Sequence, residues 1–157
     1  MQENAVHLLI EMPWRLCLNS VHFQSMTLVA VAILIKNGKI LICQRKRNSR
    51  YGLKWEFPGG KVENGESVQQ CLQRELKEEL SIVIGPINKT EVESYNYEDG
   101  GRFEVHYCFV RNFDGDLKNN VFEEVRWVSP GELQSLDHLE GNWPIIRKLD
   151  ERAFEAS

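Results

Sequence analysis

Residues Trp55–Ile82, WEFPGGKVENGESVQQCLQRELKEELSI, decide how the rest of this 157-residue chain is read. Pro58-Gly59-Gly60 permits a tight backbone path and leaves a glycine carbonyl available as a hard oxygen ligand. Ser67, with Gln70 three residues on, makes a capping-box pattern that starts a helix. Leu72, Leu76 and Leu80 recur every four residues and supply its buried stripe. Glu75, Glu78 and Glu79 then stand at i, i+3 and i+4, on one side of the helix. Like charges at that spacing repel, so the array is mildly destabilising unless a cation sits among them. Arg74 and Glu78 form an i, i+4 pair in the order less favourable to the helix dipole, which reads as an arginine holding a carboxylate in position.

On the N-terminal side, Thr27–Ile35 and Lys39–Cys43 are apolar runs joined by Asn37-Gly38, a strong hairpin signal. Gln44–Lys54 is a basic, polar loop whose Arg45, Lys46, Arg47, Arg50 and Lys54 either meet phosphates at the mouth of a site or are simply solvated. Arg45, at a strand end, is the best of these for phosphate. On the C-terminal side, Ile82–Ile87, Glu91–Tyr97, Arg102–Val110 and Val121–Val128 read as strands. Ser129-Pro130 opens a helical turn through Leu133, and Asn142, as N-cap, starts a last helix running towards Phe154. His106 reads as structural or surface, because no acidic partner accompanies it.

A mixed set of strands with one acidic helix and a second helix suits a curved mixed β-sheet between helices, an α/β/α sandwich. The length and 42% hydrophobic content favour one domain over residues 26–157, with residues 1–25 as an N-terminal extension of uncertain structure. A formal charge of -4 argues against a long nucleic-acid duplex as the main partner. Cys17, Cys43, Cys71 and Cys108 are far apart without zinc-site spacing, and read as reduced small hydrophobes in a reducing compartment, the cytoplasm. No segment approaches eighteen uninterrupted apolar residues, so a membrane span is not expected.

Gly60, Glu66, Arg74, Glu75, Leu76, Glu78, Glu79 and Ile82 match the Nudix signature G-x5-E-x7-R-E-U-x-E-E-x-G-U, with Ser81 in place of its second glycine. From Met26 to Leu149 the chain resembles the MutT-type branch of that superfamily, with WEFPGGK and NWPII as further local matches. Ser81 is expected to strain or reshape the helix exit while leaving the carboxylates unaffected.

The resemblance implies a Nudix fold and hydrolysis of a nucleoside diphosphate linked to another moiety. It implies that Glu75, Glu78 and Glu79 bind Mg²⁺, with Mn²⁺ as the alternative, helped by a backbone carbonyl at Gly59 or Gly60. Arg74 would orient a glutamate, and Glu75 or Glu79 would take the proton of the attacking water. Asn142 matches an asparagine that hydrogen-bonds the base in the oxidised-guanine enzymes. Beside it, Arg45 reads as substrate-binding from its place at a strand end, and Glu56 as contributing either to base recognition or to loop structure; Phe57, Tyr51 or Trp143 could stack on the base, with core packing the alternative for Phe57 and anchoring of the last helix that for Trp143.

A further glutamate outside the signature works in several members. Glu123 and Glu124 are the nearest here, although alignment on Trp127 places Val121 at that position; Glu98 and Glu104 are lesser candidates. The leading expectation is a nucleoside triphosphate split to monophosphate and pyrophosphate, with 8-oxo-dGTP first and cytidine nucleotides second. Alternatives are removal of pyrophosphate from a 5′-triphosphorylated RNA end, and a non-catalytic nucleotide-binding module. A monomer and a homodimer are both compatible with the sequence.

Overall fold

Strand β1 (Thr27–Lys36) alternates its side chains between two buried faces and so sets the layering of the molecule. Ala30, Ala32 and Leu34 face one layer, while Val31, Ile33 and Ile35 face the other. A computed structural model describes residues 26–96 and 101–149. The turn Asn37-Gly38, with φ of 52° and 68°, returns the chain into β2 (Lys39–Gln44), pairing Ile35 with Ile40. Positive φ at both central residues is the turn geometry whose twist matches antiparallel strands.

Seven strands form the main sheet. Strand β7 (Arg102–Val110) runs parallel to β1 from the Thr27–Phe103 pair to the Leu34–Val110 pair, and β6 (Lys89–Asn96) flanks β7. On the other side of β1 lies β2, which carries β3 (Trp55–Glu56) and β9 (Glu124–Val128), while β4 (Gly59–Lys61) pairs with β1. Among the described residues β1 and β7 pair in parallel while the other strand pairs of this sheet are antiparallel, so the sheet is mixed. A small second sheet joins β5 (Val83–Ile84) to β8 (Phe113–Asp114).

Helix α1 (Val68–Leu80) begins with the Ser67–Gln70 capping box. Its Cys71, Leu72, Leu76 and Leu80 pack on the face formed by Ala30, Ala32, Leu34, Leu41 and Cys43. Against the opposite face lie α2 (Pro130–Ser135), capped by Ser129 and Glu132, and the short α3 (Trp143–Ile146). Leu133, Ile145, Ile146 and Leu149 close that second core over Val31, Ile33, Ile40 and Ile42. The helix–sheet–helix sandwich is therefore present, because both faces of β1 and β2 are apolar and each needs a cover.

Several boundaries differ from expectation. The segment 82–87 narrows to Val83–Ile84, since Gly85 and Pro86 follow and proline has no N–H for a ladder. The strand expected from Val121 starts at Glu124, because Phe122 turns its ring into the core beneath α1 and exchanges backbone bonds with the Asn119 side chain. Asn142 makes no side-chain cap: it ends a 3-10 turn, Glu140–Asn142, in helical conformation. The continuation towards Phe154, residues 1–25 with Cys17, and the 98–100 turn with Glu98 lie outside the described residues. Ser81 holds φ 59° and ψ 25°, and its N–H reaches the carbonyls of Leu76 and Lys77, so the helix exit is strained locally but not reshaped. Among the described residues no helix is long and apolar enough to cross a membrane, and Cys43, Cys71 and Cys108 are free and buried.

Candidate active site

The Gly59-Gly60 turn is wedged between helix α1, which crowds Gly60, and strand β1, which crowds Gly59. A Cβ on Gly60 would fall 2.1 Å from Glu75 Oε1, and one on Gly59 2.2 Å from the Ala30 carbonyl oxygen, where φ is also +144°. The missing side chains let the helix bring its acids against the turn. Gly59 N–H donates to Glu79 Oε2 at 3.2 Å.

Arg74 is the centre of the polar network beneath. Its Nε and Nη2 donate to the two oxygens of Glu66, both at 2.9 Å, and its Nη1 donates to Glu75 Oε1 at 2.7 Å. Such fork geometry fixes orientation as well as charge. The expected i, i+4 ion pair with Glu78 is present but long, at 3.9 Å and with the Glu78 side chain 63% exposed, so the arginine holds Glu75 more closely than Glu78. The Arg74 hydrogen bond, supported by the Glu63 N–H, holds the Glu66 carboxyl down at about 2.

Glu79 behaves in the opposite way. Burial pushes its carboxyl up to about 8, and the charges of Glu75, Glu56 and Glu78 push in the same direction, while the Gly59 N–H opposes them. Burial and the charges of Glu66 and Glu75 likewise push the Cys71 thiol up to about 12, with Arg74 opposing, so it is an inert filler between helix and turn.

On the other side of the turn lies a cavity of about 790 Å³, lined by Val29, Val31, Phe57, Val105, Tyr107 and Asn142 among others. Gly59 belongs to its wall as well as to the acidic cluster. Glu56, at the cavity wall, receives Arg45 Nη1 at 2.7 Å. Burial raises the Glu56 carboxyl and Arg45 opposes the rise. Asn142 is 8% exposed, with Tyr107 Oη at 3.4 Å from its Oδ1. Tyr95 and Tyr107 both donate to the Gly141 carbonyl, at 2.7 and 2.9 Å, which fixes the 3-10 turn carrying Asn142. At the rim, Lys54 pairs with Asp137 at 2.6 Å and the Arg50 guanidinium lies over the Tyr51 ring.

The expected residues thus fall into two groups that meet at Gly59. Glu75, Glu79 and Arg74 lie on the helix side, with Glu78 further out; Arg45, Glu56 and Asn142 lie on the cavity side. Of the stacking candidates, Phe57, Tyr51 and Trp143 all line the cavity. Of the candidates for a further glutamate, Glu123 accepts from Arg47 N–H at 3.4 Å, and Glu124 lies 3.7 Å from Arg126. Glu56 is an acid outside the helix whose charge adds to the rise of Glu79. His106 does have an acidic partner, Glu104 at 2.8 Å, since residues two apart on a strand share a face. Tyr95, Tyr107 and His138 were not anticipated. Burial lowers the His138 imidazole below its ordinary value, and its Nε2 lies 2.6 Å from the Leu133 carbonyl oxygen.

Among the described residues no group of three or more His, Cys, Asp or Glu side chains is drawn together closely enough to hold a metal ion by itself. The chemistry of the acids nonetheless suits a hard divalent cation, with the carboxylates of Glu75, Glu78 and Glu79 on one side of the helix. Mg²⁺ commonly keeps waters and substrate oxygens in its shell, so an open set is adequate. A cation would also offset the neighbouring carboxylate charges that add to the effect of burial on Glu79.

The comparisons with known proteins agree with this geometry. The NUDIX domain model matches residues 26–149. The chain is 41% identical over 121 residues to the CTP pyrophosphohydrolase of Escherichia coli (strain K12), covering 75% of this chain and 87% of that one. It is 31% identical over 122 residues to the 8-oxo-dGTP diphosphatase of the same organism, covering 77% and 94%. The solution structure of the E. coli ORF135 protein superposes with a TM-score of 0.71 at 33% identity, covering 79% of this chain and 88% of that one. With a glycine turn, an arginine-held glutamate and a raised carboxyl gathered at the place its sequence signature points to, the chain belongs to the Nudix family and is a Nudix hydrolase.

Proposed function

We propose that this hydrolase cleaves a nucleoside triphosphate to monophosphate and pyrophosphate, with 8-oxo-dGTP as the leading substrate and Mg²⁺ or Mn²⁺ as the cation. The observation that carries the reading is Gly59, which walls the base-sized cavity and donates to Glu79. A base seated in the cavity leaves its phosphates passing the turn beside the acids.

Asn142 supports recognition of a base edge, because a carboxamide both donates and accepts. Val29, Val31 and Phe57 supply apolar walls, and Arg45, held by Glu56, adds a cation to the same lining. The divalent cation would relieve repulsion between the phosphates and an incoming water. Water adds to phosphorus, the phosphoanhydride bond breaks, and the water's proton goes to Glu75 or Glu79. Arg74 keeps Glu75 in place throughout.

A cytidine nucleotide is the second reading, supported by the 41% identical relative named CTP pyrophosphohydrolase. A 5′-triphosphorylated RNA end has less support, because Glu56 and Asp137 already neutralise Arg45 and Lys54 at the rim. Three buried free thiols support a reducing, cytoplasmic setting. Purified protein with Mg²⁺ should release pyrophosphate from 8-oxo-dGTP faster than from CTP or dGTP. No release from any of them above a Glu79→Gln control would reject the reading.

A further inference from the structure

The last turn of any α-helix leaves four carbonyl groups without partners inside the helix. In α1 these belong to Lys77, Glu78, Glu79 and Leu80, the turn that carries two of the acids. Ser81 N–H takes the Lys77 carbonyl at 3.1 Å. The other three are taken by one exposed segment between β8 and β9. Lys118 N–H donates to Leu80 at 2.9 Å, Asn120 N–H to Glu79 at 3.0 Å, and Asn120 Nδ2 to Glu78 at 2.8 Å. The same Nδ2 donates to Ser81 Oγ at 3.0 Å. The serine hydroxyl thus offers an acceptor that a glycine at this left-handed position would lack.

The segment is anchored at its other end. Asn119 and Phe122 exchange two hydrogen bonds, at 2.9 and 3.0 Å, and the Phe122 ring is buried in the core beneath α1. Glu123 N–H then donates to the Gln44 carbonyl at 2.8 Å, and Glu123 Oε2 accepts from Arg47 N–H. One continuous strap therefore runs from the acidic end of α1 to the loop at the cavity mouth.

The geometry points to Asn120, acting with Ser81, as a positioning residue that sets where Glu78 and Glu79 stand for a divalent cation. This rests on the metal reading given under the proposed function. Partners that orient metal ligands commonly change affinity about 10–100-fold when removed. Asn120 is exposed, so its loss leaves the core intact.

The test is titration of the metal-free full chain with Mn²⁺, read as free Mn²⁺ by electron paramagnetic resonance, alongside thermal melting. Asn120→Ala is expected to weaken Mn²⁺ binding about tenfold and to raise the Mg²⁺ concentration for half-maximal hydrolysis similarly. Ser81→Ala, which keeps every backbone bond, is expected to weaken it by a smaller factor. Lys118→Ala, which keeps the N–H to Leu80, should bind as the parent does. Unchanged Mn²⁺ affinity in both Asn120→Ala and Ser81→Ala, with only a lowered melting temperature, would make the strap a plain helix cap and overturn the inference. Should Asn120→Ala not fold, Ser81→Ala decides alone. Absence of Mn²⁺ binding in the parent protein would instead overturn the metal reading itself, and this inference with it.

Discussion

Glu79 is where burial and function pull against each other. Its carboxyl titrates at about 8 in the folded chain, against an ordinary carboxylate value once unfolded. Between those two values the folded state binds the additional proton, so the metal-free protein loses stability as pH rises from the ordinary range through about 8. Glu79→Gln removes the titration. It should melt about 2–4 °C above the parent at pH 8.5 without metal, the shift that roughly 1 kcal/mol gives at this size, and the two should converge near pH 4. The same variant should lose about 100-fold or more of its hydrolysis. A parent that melts higher at pH 8.5 than at pH 5 would contradict the argument. At Gly60 the prediction is steric. Gly60→Ala would place a methyl 2.1 Å from Glu75 Oε1, so the carboxylate must leave Arg74 or the turn must open. Steady-state assays should show kcat/KM lower by about 10–100-fold, and full activity would show that Glu75 does not work from its observed position.

At the scale of the element, α1 was the most legible part of the chain. The four-residue leucine repeat, the capping box and the acid spacing all follow from helical geometry, which is local. Its partners were not local. Arg74 keeps Glu78 as a long ion pair at 3.9 Å but hydrogen-bonds Glu66 and Glu75, because the loop before the helix folds back across its first turns. Arg74→Lys keeps the charge and loses the fork, so it should reduce activity about 10–100-fold while far-ultraviolet dichroism stays unchanged. Leu76, fully buried at the centre of the stripe, should cost about 2–5 kcal/mol when cut to alanine, measured by denaturant unfolding.

At the scale of the whole molecule, the sheet brings residues more than eighty positions apart to one cavity. Asn142 is the case in point. As an N-cap it would have been a local device; as a buried amide beside Tyr107 it belongs to the cavity. Asn142→Ala is expected to raise KM for the preferred nucleotide about tenfold or more, leaving kcat less affected, because a buried polar contact made in the ground state mainly governs binding. An unchanged KM across 8-oxo-dGTP and CTP would remove Asn142 from recognition.

What the sequence determined by itself was everything of short range: the Asn37-Gly38 hairpin, the amphipathic α1 with its three acids, the glycine turn, and the family signature they compose. Only the tertiary structure decided that Gly60 is crowded by the helix and Gly59 by β1, that Glu56 is an acid outside the helix whose charge adds to the rise of Glu79, and that residues 118–120 close the helix end. The reason is physical. Periodicity and capping are properties of neighbouring residues, whereas the two-residue strand at Trp55, the carboxyl shifted by burial and the strap on α1 exist only where distant backbone groups meet.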